Sequence, residues 1–380
     1  MHVVVIGGGI AGLSTSLGLA RAGARVTLLE RGEAPFSGAS GLNAAIYRPL
    51  EDDAVMTLFA HRTAKLLDEV LGHRTAWLDA RGLVLAGAAK AVRRLAVEAA
   101  RVDLVAQRWP TVAERVPVLE GGSAEAGLWL AAGGVMDLHR IARALEGACR
   151  KLGVEVRLGA EVTGLSSFRG ARWALTMKGA RELLTDAVVL AAGAHSGRLA
   201  ALAGSRVGVT SYRRTLALLE PANRVHVRQV VWDVSKQVYL RAESGGVLAS
   251  PCDEVAVEPE AAPVVDQASL ALLAEKLSAV TPSLASASVR RAWAGLRTFS
   301  ADRLPIIGAD PTVPGLYWCT GFGGAGMTTG LALGVSAAKA VLGGRIPKNL
   351  SAARLGESRR SLVRSTPLVR AGLSAPAIDA

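Results

Sequence analysis

Residues 2–12 read HVVVIGGGIAG, a β-branched run followed at once by glycines at 7, 9 and 12. Few short patterns constrain a fold as tightly. The run 2–6 suits a buried parallel strand, and a helical pattern begins at Ile10 and continues to about Ala22, where Gly23 stops it. A second strand, Arg25 to Leu29, leads into Glu30. Each glycine has a separate task. Gly7 permits a tight turn, Gly9 lets the backbone approach a pyrophosphate, and Gly12 lets the helix lie close on the sheet. The helix N-terminus offers free N–H groups and partial positive charge to phosphates. Glu30 stands 18 residues after Gly12, where a carboxylate accepts hydrogen bonds from both ribose hydroxyls and disfavours a 2′-phosphate. The opening unit therefore predicts a Rossmann-type site for FAD or NAD rather than NADP.

The chain has 380 residues, enough for about two domains of roughly 150 each. Half of it is apolar and 20% charged, which excludes a disordered chain, and only 4% is aromatic, which leans towards α/β packing by small residues. The net charge of +12 comes mostly from arginine spread along the chain. No basic stripe carries interleaved aromatics, so no nucleic-acid module is expected. Cys149, Cys252 and Cys319 have no metal-ligand spacing and are odd in number. They suit a reduced, cytoplasmic protein without a metal. The apolar stretch 3–20 contains the glycine pattern and lacks a basic leader, so it reads as neither signal peptide nor membrane span. Contact with the inner face of a membrane is expected to be peripheral at most.

Beyond Arg31 the Rossmann pattern is interrupted. A small-residue loop, SGASGLNAAIYRPL (37–50), precedes helical patterns near 54–70 and 88–101. A helix is expected from about Asp137 to Leu152, a strand over Val154–Leu158 and another from Glu161. Residues 187–194, AVVLAAGA, read as a buried strand ending at Gly193, and 206–250 alternates in short β-like runs. WAGLRTFSADRLPIIG (293–308) and GLYWCTGFGGAGMTTG (315–330) then lead into a helix reaching about Leu342. Residues 351–380 look like a basic, frayed tail.

These segments, in this order, resemble the family of FAD-dependent D-amino-acid oxidases and dehydrogenases, which includes glycine and sarcosine oxidases. Within it, SYRRT (211–215), VYLR (238–241), SPCDE (250–254) and WAGLRTFSAD (293–302) resemble the D-arginine dehydrogenases. The resemblance implies an α/β fold with an FAD-binding domain built from separated segments, roughly 1–80, 137–205 and 296–350. It implies an α+β substrate domain from 81–136 and 206–295 around a mixed, largely antiparallel sheet. FAD would be held, without a covalent bond, by Gly7, Gly9, Gly12, Glu30, Arg31, Ser37, Ser40, Ala44, Ala45, Val162, Ala192 and Gly193. Gly321, Gly323, Gly324, Gly326, Met327 and Thr328 would approach the flavin ring. Where sarcosine-type relatives attach flavin to a cysteine after the arginine strand, this chain has Thr298 and Phe299.

An amino-acid substrate brings a carboxylate, an α-C–H and an amine. The carboxylate calls for arginine, whose planar fork binds both oxygens. The resemblance supplies Arg297 and Arg214, with Arg213 as a competing choice for the latter. It also gives Tyr239 a place over the substrate and the backbone of Gly324 a place facing the amine. The implied reaction is hydride transfer from a C–N carbon, giving an imine that hydrolyses to a 2-oxo acid and ammonia. A 2-hydroxy acid or a secondary amine remains open as substrate, oxygen or a quinone as acceptor, and a role as subunit of an electron-transfer complex. The clamp that D-arginine dehydrogenases use is missing: their glutamate falls on Gly82, their histidine on Ile46 and a tyrosine on Glu51. Ile46 and Glu51 are therefore the candidates that meet the substrate side chain, with Glu51 favouring a polar or cationic one.

Overall fold

The computed structural model describes residues 1–356 apart from 169–171, 180, 224 and 261. Its first sheet has six strands in the order Ile306–Ala309, Leu316–Thr320, Ala187–Leu190, His2–Ile6, Arg25–Leu29 and Glu155–Arg157. All neighbours are parallel except the outermost pair, Ile306–Ala309 with Leu316–Thr320. His2–Ile6 is buried on both faces, as its unbroken β-branched run requires. Helix Ile10–Arg21 follows it, and helix Gly326–Val341 follows Leu316–Thr320. The two helices pack at close range because glycines face small residues. A Cβ on Gly334 would meet the Ser14 Cβ at 2.4 Å, and one on Gly18 would meet the Ala338 Cβ at 2.8 Å.

The second sheet has nine strands. Leu83–Gly87 and Val230–Asp233 form its parallel pair, and the other pairings are antiparallel. Its longest members, Thr210–Glu220 and Ser288–Phe299, pair along their whole length. Residues 295 and 296, where the sequence suggests a division between domains, sit inside Ser288–Phe299. That strand carries the backbone from the second sheet to the mouth of the first. A three-stranded sheet of Val162–Phe168, Arg172–Met177 and Leu183–Thr185 flanks the first sheet. A small sheet joins Ile46–Tyr47, Gly134–Met136 and Leu78–Asp79.

The expected tail begins later than the composition suggests. Ala352–Leu355 forms a 3₁₀ turn with Ala352 buried, and Arg354 pairs with Asp302 at 2.6 Å. An arginine with a carboxylate partner and an apolar neighbour with a core to join are enough to dock a polar stretch. The rest of the expected tail, 357–380, lies outside the described residues. Among the described residues no helix is long and apolar enough to cross a membrane.

Candidate active site

A cavity of roughly 1210 Å³ opens at the carboxyl ends of the central parallel strands, the place where open α/β sheets bind ligands. Its wall draws on Ile6, Gly7 and Gly9, on Leu29 to Gly32, on Ala191 to His195, and on Thr320 to Thr328. The opening glycines make one end. Gly7 adopts φ +114° and its Cβ would strike the Ala191 carbonyl at 2.5 Å. A Cβ on Gly12 would lie 1.7 Å from the Gly7 carbonyl oxygen. Gly12 is therefore behind the wall rather than on it, and its absent side chain lets helix and turn touch. Only glycine fits either position.

Glu30 accepts from Gly8 N at 2.5 Å, Gly32 N at 2.7 Å and Ser37 Oγ at 3.2 Å. A carboxylate has about four lone-pair positions, so this acid both fastens the glycine turn and keeps acceptor capacity at the wall. Ser40 Oγ accepts from Ile10 N at 3.0 Å, tying the 37–44 loop to the helix N-terminus. Ala45 is buried at φ +56° and contributes its carbonyl to Met136 N at 2.7 Å, so it shapes the loop without reaching the cavity. Arg31, Ser37, Ala44, Val162, Ala192 and Gly193 all line it. The glycine cradle and the helix N-terminus offer N–H donors to a pyrophosphate, and the acid at the second strand offers an acceptor to ribose hydroxyls.

At the other glycine-rich stretch, Gly321 and Gly323 have φ +76° and +54°, and a Cβ on Gly323 would enter the Phe299 ring at 2.3 Å. Helix Gly326–Val341 has no side-chain cap at its N-terminus, and Gly324, Gly326, Met327 and Thr328 line the cavity. Its first N–H groups supply partial positive charge there.

The arginines come from the second sheet. Register pairs Tyr212 with Arg297 and Arg214 with Gly295, so Arg297 and Arg214 are diagonal neighbours on one face. Arg214 donates Nε to the Asp253 carbonyl and a terminal nitrogen to Glu254, both at 3.0 Å. Arg297 is only 5% exposed and donates to the carbonyls of Leu296 at 2.9 Å and Leu42 at 3.1 Å. Among the described residues no carboxylate pairs with it. Burial pulls its guanidinium down to about 10, opposed by Tyr239 and reinforced by the Arg214 charge. It remains a cation at neutral pH. Tyr239, buried on the same face, has its hydroxyl pushed up by desolvation. Arg213 points the opposite way, to Asp266 at 2.7 Å and Asp253 at 3.6 Å. Strand alternation thus separates the two arginines that the sequence leaves as alternatives.

Ile46 and Glu51 both line the cavity. The three acids at 51–53 have different surroundings. Asp53 caps helix Ala54–Leu71 by accepting from Val55 N at 2.8 Å and Met56 N at 3.1 Å. Asp52 is exposed and pairs with Arg48. Glu51 is 9% exposed, and burial pushes its carboxyl up to about 7. Gly82 does not reach the cavity: at φ +80° it lies beneath Trp129, whose ring a Cβ would meet at 1.7 Å. Sequence reasoning missed Arg48 and Trp232. Arg48 is buried, stacks over the Trp232 ring at 5.0 Å, and Trp232 in turn lies 5.0 Å from the Tyr239 ring. Neither residue sits in a spacing pattern that would mark it.

The chain matches the family of FAD dependent oxidoreductases over residues 2–340. The bifunctional protein of tRNA 5-methylaminomethyl-2-thiouridine biosynthesis, MnmC, from Thiobacillus denitrificans is 29% identical over 381 residues, covering 95% of this chain and 60% of that protein. Glycine oxidase from Pseudomonas aeruginosa is 28% identical over 344 residues, covering 84% of this chain and 89% of its own. The solved L-proline dehydrogenase from P. horikoshii shares the fold, with a TM-score of 0.83 at 20% identity over 93% of this chain and 97% of its own. The chain spans about 60% of the length of the first curated relatives it matches.

Proposed function

The chain belongs to the family of FAD dependent oxidoreductases, and on that premise we propose that it oxidises the C–N bond of a D-amino acid or a glycine-like amine. The observation that carries this reading is Arg297, a buried cation on the cavity side of its sheet without a carboxylate partner among the described residues. A buried charge is costly unless paired, and a substrate carboxylate supplies the missing partner. Arg214 adds a second guanidinium on the same face, and Tyr239 a hydroxyl that burial keeps protonated. FAD, when bound, accepts the hydride that leaves the α-carbon. The protein's part is to fix the carboxylate, turn the α-C–H towards the glycine loop Gly321–Thr328, and keep water away until the C=N bond has formed. The amine lone pair makes that bond, and water then gives a 2-oxo acid and ammonia. The uncapped terminus of Gly326–Val341 favours negative charge developing beside it.

Anaerobic mixing with single enantiomers of amino acids tests the proposal. Bleaching of the flavin, with ammonia and a 2-oxo acid as products, is the expected result. Failure of every amino acid to bleach a correctly FAD-loaded protein refutes it. Bleaching by 2-hydroxy acids alone would move the same site to alcohol oxidation. A second reading, oxidation of a secondary amine, is supported by the methylaminomethyl group in the name of MnmC. It predicts a primary amine in place of ammonia. FAD should be released intact on acid denaturation, since Cys149 and Cys319 are buried in the core of the first sheet, Cys252 packs against the Tyr239 cluster without lining the cavity, and Thr298 and Phe299 follow Arg297.

A further inference from the structure

The face that carries Arg214 and Arg297 continues across the second sheet. Tyr239 pairs in register with Trp232, Arg48 stacks on Trp232, and Glu51 lies 3.9 Å beyond the Arg48 guanidinium. The wall thus runs from two cations to a buried acid, all of it lining one cavity. Arg48 does not satisfy Glu51. It donates Nε to the Leu50 carbonyl at 2.7 Å and a terminal nitrogen to Asp52, and 3.9 Å is too long for a hydrogen bond. The Glu51 main chain is tied down, its N–H donating to Thr57 Oγ1 at 3.0 Å. Its carboxyl oxygens have no hydrogen-bond donor among the described residues. A nine-tenths buried acid that lines a cavity and accepts no side-chain hydrogen bond among the described residues is a built acceptor.

We infer that Glu51 receives a cationic group at the far end of the substrate, so that the site selects amino acids or amines bearing a second positive charge. This rests on the proposed C–N oxidation. Charge balance carries it. At the wall itself Arg48, Asp52 and an ionised Glu51 sum to −1, the exposed Arg94 acting on Asp52 alone, and one substrate cation brings the three to zero. An apolar substrate leaves the cluster neutral only when Glu51 takes up a proton. The groups that face Glu51 are few. Arg48 and Asp52 act on it directly, it acts in turn on Tyr47, and Arg94 from helix Ala89–Arg101 acts on Asp52. Burial holds the carboxyl near 7. Binding a cation must therefore expel a proton below that pH, and binding a neutral side chain must not.

Lysine against norleucine isolates the distal charge, because the two differ only at the chain end and the lysine ammonium stays charged well above pH 8. The ratio of their kcat/KM values, taken for the enantiomer that bleaches the flavin, should rise about tenfold from pH 6 to pH 8 as Glu51 ionises. In Glu51→Gln the ratio should be flat with pH and lower by about tenfold to a hundredfold at pH 8, the range of a charged hydrogen bond. Calorimetry in two buffers below pH 7 should record up to one proton more released with lysine than with norleucine, the α-ammonium being common to both. A ratio that ignores both pH and Glu51→Gln overturns the inference and leaves C–N oxidation standing. Bleaching by no amino acid overturns both. Should Glu51→Gln fail to hold FAD, the wild-type pH profile and proton release decide alone.

Discussion

At one end of the cavity the backbone does the recognising, and at the other side chains do. The cradle at Gly7 and Gly12 works by what is missing: a Cβ would strike the Ala191 carbonyl at the first and the Gly7 carbonyl at the second. The arginine face works by what is present, two guanidiniums and a phenol projected from strands far apart in sequence, with an acid from the loop before helix Ala54–Leu71. The first kind of site fails when an atom is added. The second fails when a charge is removed. The contrast suits one end to a cofactor held by backbone and the other to a substrate held by charge.

The largest break should come from adding one methyl group. Gly12→Ala puts a Cβ 1.7 Å from the Gly7 carbonyl, against backbone that has no rotamer to yield. Overpacking usually costs about 1–3 kcal/mol, and this case should exceed that range. The variant should purify colourless or not at all, as its absorbance spectrum would report. Gly324→Ala is the control for the fold: no heavy atom of the protein lies within 4 Å of its Cβ, so the Tm of the apoprotein should match the wild type while turnover falls. A yellow, fully active Gly12→Ala would show that the cradle tolerates filling.

At the other end, Arg297→Ala should leave FAD bound and weaken substrate. Losing one partner of a desolvated charge pair costs about 2–5 kcal/mol, or roughly 30-fold to a few thousand-fold in apparent affinity. Because Arg297 has no carboxylate partner among the described residues, the Tm of this variant should stay level or rise. Arg213→Ala should do the reverse. It breaks a buried pair with Asp253 and strips a donor from Ser269, a loss of about 3–5 kcal/mol in stability, with KM unchanged in the folded fraction. Equal behaviour of the two variants would erase the distinction drawn between a site arginine and a structural one.

The same contrast decides what can be read from the chain. The glycine end is local: strand, turn, helix and acid occur within residues 2–30, and helix Ile10–Arg21 and strand Arg25–Leu29 lie where their patterns put them. Helices Ala54–Leu71, Ala89–Arg101, Leu138–Lys151 and Gly326–Val341 are equally legible from periodicity and glycine stops. The arginine face is not local. Whether Arg213 or Arg214 meets the cavity depends on the register between Thr210–Glu220 and Ser288–Phe299, and a slip of one residue exchanges them. Arg48 and Trp232 meet across 184 residues of chain, which no motif encodes. Acids 51–53 look alike in sequence, yet one caps a helix, one is exposed and one is buried. Burial, not residue type, assigns those roles.

The smallest effect sharpens the side-chain end further, because Glu51 should act on stability even without substrate. Burial raises its folded value to about 7 from an ordinary 4.5. Between those values the folded chain holds a proton that the unfolded chain has released. Stability should therefore be greatest below the ordinary carboxylate range and decline as pH rises towards 7, then level off once both states are ionised. At about 1.4 kcal/mol for each pH unit between the two values, the whole effect is at most roughly 3 kcal/mol. Glu51→Gln keeps the shape and removes the titration. Its Tm should thus fall behind the wild type at pH 5 or match it, and move ahead by pH 8, a crossing that a thermal scan of both proteins would record at matched FAD content. The direction separates two pictures of the same residue. An acid fully paired with Arg48 would have a lowered value and would make the wild type gain on the variant as pH rises. A difference in Tm that grows in that sense would return Glu51 to an ordinary ion pair, and the cavity would then end in a closed charge cluster rather than an acceptor.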